Sequence, residues 1–383
     1  MTSTLFDSSR RVAVVSLGLM LASWASLAVA AEPLKGHVHD LSLLVSPEMP
    51  CVWPVGMMQH VVIPNRTFGA SPYHRDLVTI DEHTGTQWDA PAHFVPPPDS
   101  GLPGAGAMGL ITGEKVPAWQ FIGEACVIDI REHVDDAPPG SSFLITPEIV
   151  QQWEKKHRPV GPGDVVLFRS DYSDRYYKPL ATGGERFVHT VLRKDTSGWP
   201  APTPECMKYL GNKKVMALGL DGASMGPVPD LAVATHQAGG QFGMIWTECA
   251  TNLGSLPTTG ACYVLLAAKH VGGSGGEARA IGITEPKLAK RLIDGAKARR
   301  VVDLSVALDE DLPITWPGSA PGDEASRYIA KTLNAFGKAA VPTSPAPICS
   351  TVRRERIWSR RRFHCRHQAS TSSCSRRTFN ASG

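Results

Sequence analysis

Thirteen residues, EHTGTQWDAPAHF (82–94), contain side chains of the types that bind metal ions. Four of them share parity along an extended chain: His83, Gln87, Asp89 and His93. Alternate residues of a strand point to one face, so a strand bent at Gly85 or Pro91 would aim all four into one cavity. Imidazole, carboxylate and amide donors suit a borderline-to-hard divalent ion. The spacing predicts a metal site, with a hydrogen-bonded polar cluster as the alternative.

A second segment, VATHQAGGQFGMIWTECATNLGSLP (233–257), adds two more candidate ligands. His236 is followed by Glu248, which comes after an apolar run and before a turn-like TNLG. A carboxylate in that place indicates a buried functional group, because charged side chains are rarely buried without a partner. The alternative is an exposed glutamate at the start of a loop.

The pattern His-x-Gly-Thr-x-x-Asp-x-Pro-x-His resembles the signature of the metal-dependent cyclase family, which includes bacterial kynurenine formamidase and isatin hydrolase. The residues that meet it are His83, Gly85, Thr86, Asp89, Pro91 and His93. The resemblance extends over roughly residues 38–285 and includes DLS (40–42), GDVVLFRSDYS (163–173), LGLDGAS (218–224) and GGSGGEARAIGI (272–283). It implies an α/β fold, the swivelling β/α domain of this family, with mixed β-sheet layers and flanking helices.

The resemblance also implies roles for individual residues. The implied metal ligands are His83, Gln87, Asp89, His236 and Glu248, with Asp89 able to bridge two ions. His93 would be the catalytic acid and base while a metal-activated water attacks a carbonyl. Trp53, Ser224 and Arg169 would bind the substrate, and a tryptophan of the core is the alternative for Trp53.

Gln87 departs from the family pattern, because kynurenine formamidases have a histidine ligand at this position. An amide oxygen is a weaker donor than imidazole. Glutamine at this position therefore favours Mn²⁺ over Zn²⁺, and a site for one ion over a site for two. We therefore expect a hydrolase of a cyclic or aryl amide or lactam, similar to isatin hydrolase, that uses Mn²⁺ or Zn²⁺. The alternatives are an arylformamidase acting on N-formylkynurenine and a non-catalytic exported binding protein for an aromatic ligand.

The elements that must position these residues form a mixed α/β pattern. Short β-rich runs bounded by Gly, Pro or charged residues predict strands; they are 74–80, 124–130, 163–168, 214–220 and 261–268. Helices are predicted over 146–157, with Thr146 as N-cap and Pro147 in the first turn, and over 284–300. A Pro/Gly-rich loop, 93–109, follows the histidine motif and is expected to shape a pocket mouth.

Composition bounds the possible partners. The 383 residues are 42% hydrophobic, enough for a large core. The net charge of +3 conceals a mildly acidic body and an end (350–383) with nine Arg and one Glu, so the total charge gives no indication of a nucleic-acid partner. None of the eight cysteines forms a CxxC, and we expect buried side chains that act as small hydrophobic residues, with oxidation of some of them in an exported protein as the alternative. A small-molecule substrate and a homo-oligomer are implied by the resemblance.

The first thirty residues read as an export signal. Arg10 and Arg11 precede an apolar run, and AVA before Ala31 is a small-residue cleavage site. The pattern predicts a periplasmic or secreted protein that has no stable membrane span after cleavage. An uncleaved membrane anchor is the alternative.

An internal repeat divides the chain. DLSLLVSPEMPCVWP (40–54) aligns without gaps on DLSVALDEDLPITWP (303–317). We therefore predict a signal peptide (1–30), a cyclase-like domain (31–300), the truncated start of a second copy (301–345) and an Arg/Ser-rich tail (346–383). The tail is interpreted as disordered or read from a shifted frame, and the alternative is a genuine basic tail that binds an anionic surface.

Overall fold

The strands form one large sheet and two small ones. The computed structural model describes residues 36–50, 53 and 60–308, all within one unit that spans 1–339. In this part of the chain the strands are β1 (Val38–Asp40), β2 (Val61–Arg66), β3 (Arg75–Thr79), β4 (Gln87–Asp89), β5 (Ile122–Asp129), β6 (Leu144–Ile145), β7 (Asp164–Arg169), β8 (Ala201–Pro202), β9 (Ala217–Leu220), β10 (Ile245–Glu248), β11 (Cys262–Ala267) and β12 (Gly275–Ile283).

The large sheet closes into a barrel. Its strand order is β1-β12-β11-β5-β7-β9-β10-β4, and β4 also pairs with β12. Strands β5, β7, β9 and β10 run parallel, whereas β11, β12 and β4 pair antiparallel with their neighbours. The predicted α/β class with mixed β-sheet layers is confirmed, and the closing strand is β4, which carries the predicted ligands.

The helices cover the outer face of the barrel. The described α-helices are α1 (Pro147–Lys156), α2 (Tyr172–Tyr176), α3 (His189–Leu192), α4 (Pro204–Asn212), α5 (Ala232–Gly240) and α6 (Pro286–Lys297). Both predicted long helices are present as α1 and α6. Helix α1 begins at Pro147 after Thr146, as predicted, although the Thr146 side chain makes no capping hydrogen bond.

Two cores lie on opposite faces of the same strands. Val127, Leu167 and Ile245 point into the barrel, while the next residues along β5, β7 and β10 point outward. The outward residues are Ile128, Phe168 and Trp246, which pack with side chains of α1 and α4. Parallel strands buried on both faces are expected to be continuously apolar, and this is why these runs were recognisable in the sequence.

The two copies of the repeat begin with the same hydrogen-bonding pattern. In each, the aspartate side chain accepts a hydrogen bond from the amide of the serine two residues later: Asp40 from Ser42 and Asp303 from Ser305. Each aspartate also pairs with a cation, Asp40 with Arg279 and Asp303 with Lys269. The predicted signal peptide, the tail and most of 301–345 lie outside the described residues.

Other sequence expectations have mixed outcomes. The five predicted strands correspond to β3, β5, β7, β9 and β11, whereas β10 and β12 were not predicted, and of the bent strand considered for 83–93 only β4 is present. Four cysteines are buried as expected: Cys126, Cys206, Cys249 and Cys262. Among the residues for which coordinates are described, no helix is long and apolar enough to cross a membrane.

Candidate metal centre

Strand β4 fixes the direction of two predicted ligands. Its residues Gln87, Trp88 and Asp89 are all buried. Trp88 points into the barrel, where its ring meets Phe121 edge-on at 4.9 Å, so Gln87 and Asp89 point to the helix-covered face. The predicted common face of Gln87 and Asp89 is confirmed.

His83 and His93 reach the same cavity by another route. His83 lies in a turn before β4, and His93 ends a 3₁₀ turn, Pro91–His93. The prediction that one bent strand carries all four side chains is therefore wrong, although the side chains converge. Gly85 allows the first turn, because its φ of +62° is left-handed and a Cβ there would lie 2.6 Å from Val45 Cγ2.

Strand β10 supplies Glu248. The register places Glu248 opposite Gln87 and Trp246 opposite Asp89. Gln87 Nε2 donates to Glu248 Oε2 at 2.9 Å, and Trp246 Nε1 donates to Asp89 Oδ2 at 2.9 Å. Glu248 is only 2% exposed, so the alternative of a surface glutamate is wrong.

Helix α5 places His236 beside these carboxylates. Its Nδ1 donates to the carbonyl oxygen of Ala232 at 2.6 Å, so Nε2 carries the lone pair of the neutral ring. Nε2 is 3.3 Å from Glu248 Oε1 and 3.7 Å from Asp89 Oδ2. Three electron-rich atoms that face one another in a buried space require a positive charge between them.

A second set of donors lies on the other side of Asp89. His83 Nδ1 is 3.2 Å from Asp89 Oδ1, and His93 Nε2 is 3.8 Å from Asp89 Oδ2. The two imidazoles stack with their centroids 3.9 Å apart. We call Asp89, His236 and Glu248 the inner group, and His83, Asp89 and His93 the outer group. In each group three ligand atoms lie within 4.8 Å of one another, and Asp89 belongs to both.

The donors around Asp89 fit a divalent cation. Three buried polar atoms there have no hydrogen-bond partner: His83 Nδ1, Gln87 Oε1 and Asp89 Oδ1. Such atoms are uncommon because each costs free energy. With bonds of about 2.0–2.2 Å, the ligands of one ion lie roughly 3 Å apart, which is close to the 3.2 Å between His83 Nδ1 and Asp89 Oδ1. The protein thus holds candidate metal-binding groups where the motif lies.

Comparisons with known proteins agree with this geometry. The Cyclase family model matches residues 39–227. Isatin hydrolase from Roseibium aggregatum is 26% identical over 213 residues, which are 54% of this chain and 73% of that protein. The predicted resemblance to the metal-dependent cyclase family is confirmed.

Solved structures share the fold of this cyclase-like domain. Isatin hydrolase A from Ralstonia solanacearum is 26% identical with a TM-score of 0.54, and the match covers 74% of this chain and 100% of that one. Isatin hydrolase A from Labrenzia aggregata is 24% identical with a TM-score of 0.54, covering 70% and 100%. The chain is therefore similar to cyclase-type hydrolases in sequence and in fold.

Besides Trp246, the sequence reasoning missed Ser274 and Glu82 at the cyclase-like site. Ser274, in the turn before β12, lies with its Oγ 3.0 Å from His83 Nε2 and 3.2 Å from His93 Nδ1. Its hydroxyl also hydrogen-bonds the Glu82 carboxylate. Burial raises the pKa of Glu82, but the hydrogen bonds with His83 and Ser274 outweigh it and lower the pKa to about 2. Glu82 is therefore an ionised acceptor beside the histidines.

The two imidazoles of the outer group differ in basicity. Burial lowers the pKa of His93 well below its usual value, and the charges of His83 and His236 lower it further. Burial also lowers the pKa of His83, but the close approach of the Asp89 and Glu82 carboxylates outweighs it and raises the pKa to about 10. His93 is thus the neutral imidazole, suited to accept a proton.

The inner group contains two carboxylates that repel each other. Burial raises the pKa of Asp89, and the charge of Glu248 raises it further. Burial acts in the same direction on Glu248, but the hydrogen bond and charge of His236 outweigh it and lower the pKa. The pKa of His236 is raised: burial lowers it, and Glu248 more than compensates. A bound ion would take the place of the proton that this raised pKa favours on His236.

Ser224, predicted to bind substrate, contacts the candidate metal ligand Glu248. Its Oγ donates to Glu248 Oε1 at 3.2 Å, and the Met225 amide donates to the same oxygen at 2.6 Å. Ser224 is 7% exposed. Its described role is to hold Glu248, and its predicted contact with substrate stays a prediction.

Trp53 and Arg169 lie in other surroundings. Trp53 meets Trp199 edge-on at 5.5 Å and packs against an apolar cluster, as the core alternative for this residue expects. Arg169 pairs with Asp171 at 2.8 Å. Within the described contacts neither side chain touches the inner or the outer group. Their predicted contacts with substrate stay predictions.

A large cavity of the described part of the chain does not coincide with the candidate metal-binding groups. It has a volume of about 790 Å³ and includes Thr84, Thr86, Val116 and Leu265 in its lining. Its lining includes no member of the inner or the outer group. The donor set, and not the cavity volume, identifies the site.

Proposed function

We propose that this protein is a metal-dependent hydrolase of a cyclic or aryl amide, similar to isatin hydrolase. The observation that carries the proposal is the convergence of the predicted ligands on Asp89, with three buried acceptor atoms left without partners. A purely structural polar cluster would satisfy those atoms with internal donors. The similarity to isatin hydrolases supports the reaction class.

The residues that would hold the ion are Asp89, His236 and Glu248 of the inner group, with Gln87 Oε1 and His83 Nδ1 at its edge. Three or more oxygens among these donors favour an ion that accepts oxygen-rich coordination, so we propose Mn²⁺ with Zn²⁺ as the alternative. When bound, such an ion lowers the pKa of water and polarises the amide carbonyl.

His93 would move the proton in the reaction. Its neutral ring takes the proton from the attacking water at Nε2, as the oxygen bonds to the amide carbon. The protonated ring then gives that proton to the leaving nitrogen as the C–N bond breaks. His93 suits this task because it is the outer-group imidazole that is 24% exposed, whereas His83 is 6% exposed.

The test is hydrolysis of isatin by the purified protein, followed by liquid chromatography. We expect turnover that disappears after treatment with EDTA and returns with Mn²⁺ or Zn²⁺. N-formylkynurenine, assayed in parallel, separates an arylformamidase from a lactam hydrolase. Activity that resists the chelator, or no turnover of any cyclic or aryl amide, would contradict the proposal. Isatin binding without product, unchanged in His93→Ala, would indicate a non-catalytic binding protein.

We propose that the protein is exported to the periplasm or secreted, on the basis of the leader-like residues 1–30. N-terminal sequencing of the mature protein from the native cell should begin at Ala31. A first residue of Met1 on a membrane-bound protein would support the anchor alternative.

We also propose a homo-oligomer, supported by the β2–β3 hairpin. Opposed pairs on its two faces, Val62 with Val78 and Ile63 with Leu77, are all exposed. A two-stranded ribbon with apolar side chains on both faces is not stable alone in water, so a second copy is its expected partner. Light scattering during gel filtration should give a multiple of the chain mass, and the double variant Ile63→Lys, Leu77→Lys should reduce it.

A further inference from the structure

Ser274 touches both imidazoles of the outer group with a single hydroxyl. Its Oγ is 3.0 Å from His83 Nε2 and 3.2 Å from His93 Nδ1. Ser274 reaches them because β12 pairs with β4, with Gly275 opposite Asp89. The pairing that closes the barrel therefore also places this hydroxyl.

Only one hydrogen-bond pattern lets this hydroxyl serve both rings. A serine hydroxyl has one hydrogen and two lone pairs. The Glu82 carboxylate hydrogen-bonds both the hydroxyl and, at 3.3 Å, the amide of Ser274. The amide N–H of Ser274 donates to Glu82 Oε1, and the hydroxyl contacts the same oxygen, so this oxygen accepts from both and the hydroxyl donates to Glu82. Both lone pairs of Oγ are then left to accept, one from His83 Nε2–H and one from His93 Nδ1–H.

This pattern determines which ring nitrogens carry lone pairs. A neutral imidazole has one N–H, so with hydrogens on the Ser274 side the lone pairs lie on His83 Nδ1 and His93 Nε2. These are the two atoms that face Asp89, at 3.2 and 3.8 Å. His83 Nδ1 is also one of the buried atoms without a hydrogen-bond partner.

We propose that Ser274 and Glu82 form a positioning pair that fixes the tautomers of both histidines. His83 is thereby held with Nδ1 toward the ion, and His93 with Nε2 toward the reacting water. The role of His93 rests on the proposed hydrolysis, whereas the tautomers and the metal affinity can be measured without any turnover. Removing such a partner of a ligating histidine typically weakens metal binding by about 10–100-fold.

The first test reads the tautomers directly. Long-range ¹H–¹⁵N spectra of the Zn²⁺-loaded protein, labelled with ¹⁵N in histidine, should show the hydrogen on Nε2 of His83 and on Nδ1 of His93. In Ser274→Ala the signals of His93 should become those of a tautomer mixture, and Ser274→Thr, which keeps the hydroxyl, should restore the single form. Wild-type tautomers in Ser274→Ala would overturn the proposal.

The second test measures Mn²⁺ and Zn²⁺ affinity by isothermal titration calorimetry. Ser274→Ala should weaken binding by about 10–100-fold, and Ser274→Thr should recover most of it. The matched control is Ser255→Ala, whose hydroxyl donates to the Asn252 carbonyl in a turn and should leave the affinity unchanged.

Glu82→Ala provides the test if Ser274→Ala does not fold, because the Glu82 side chain is 35% exposed and its loss leaves little buried space. It should shift the His93 tautomer in the same direction. Unchanged tautomers and affinity in Glu82→Ala would exclude the pair. Absence of isatin turnover in an otherwise wild-type spectrum would instead contradict the proposed hydrolase and leave the positioning pair intact.

Discussion

The inner and outer groups share Asp89 but differ in chemistry and in access to solvent. The inner group has two carboxylates and one imidazole, all at most 3% exposed. The outer group has two imidazoles on one carboxylate, and His93 is 24% exposed. Concentrated negative charge in a dry place suits an ion, while a neutral imidazole near solvent suits proton transfer. The contrast indicates a division of labour on the two sides of a single aspartate.

Asp89→Asn should have the largest effect, because it removes the carboxylate that both groups share. We expect loss of bound metal and of isatin turnover to undetectable levels, since an amide is a weak, neutral donor. Mass spectrometry of the metal content checks the first and chromatography the second. The control is Asp129→Asn, an exposed aspartate paired with Arg131. Wild-type metal content in Asp89→Asn would show that metal binding by the two groups does not depend on the Asp89 carboxylate.

His93→Gln should separate proton transfer by the outer group from metal binding by the inner group. We expect kcat to fall by roughly 10²–10⁴-fold, the usual contribution of a general acid and base, while metal content stays as in wild type. Kinetics with isatin and metal analysis of the same preparation check both parts. Loss of metal together with activity would make His93 a ligand and remove the distinction.

Trp246→Phe should loosen the shared aspartate without removing it. The ring is retained, but the 2.9 Å hydrogen bond from Nε1 to Asp89 Oδ2 is lost. We expect metal affinity to fall by about 10–100-fold, with a smaller change in kcat at saturating metal. Calorimetry checks the affinity. The matched control is Trp119→Phe. Trp119 lies on a 3₁₀ turn, and the Arg299 guanidinium lies over its ring.

Gln87→His should change which metal ion the inner group prefers more than it changes the affinity for metal. An imidazole in place of the partnerless Oε1 favours Zn²⁺ over Mn²⁺, by on the order of tenfold. Metal analysis after equilibration with equal amounts of both ions checks the ratio. Gln241→His, at the exposed end of α5, is the control and should not move it. A wild-type protein that already carries two Zn²⁺ per chain, with no change in the variant, would refute the prediction.

The sequence was informative where the chemistry is local. Residues 82–94 predicted the metal-binding cluster, and parity correctly placed Gln87 and Asp89 on one face. The even spacing did not place His83 and His93 on the same strand face, because β4 has only three residues and turns at both of its ends redirect the chain. The segment 233–257 brought His236 and Glu248 forward as candidates, and the resemblance assigned them as ligands although they lie on separate elements.

Trp246 and Ser274 could not be found from local pattern. Trp246 is 157 residues from Asp89, and Ser274 is 191 residues from His83, and only the pairing of β4 with β10 and β12 brings them together. Trp246 also looks like an ordinary core residue within an apolar run. A hint existed in GGSGGEARAIGI, where a lone serine among glycines precedes a strand.

The closure of the barrel through β4 has a mechanical consequence. The three residues of β4 join β10 to β12, and two of them, Gln87 and Asp89, point to the side of the candidate metal-binding groups. An ion that draws these side chains toward Glu248 and His236 also holds the ends of the ring together. Stripping the ion should therefore speed amide deuterium exchange in β4 and its two neighbours, while the parallel strands β5 and β7 across the barrel keep their protection.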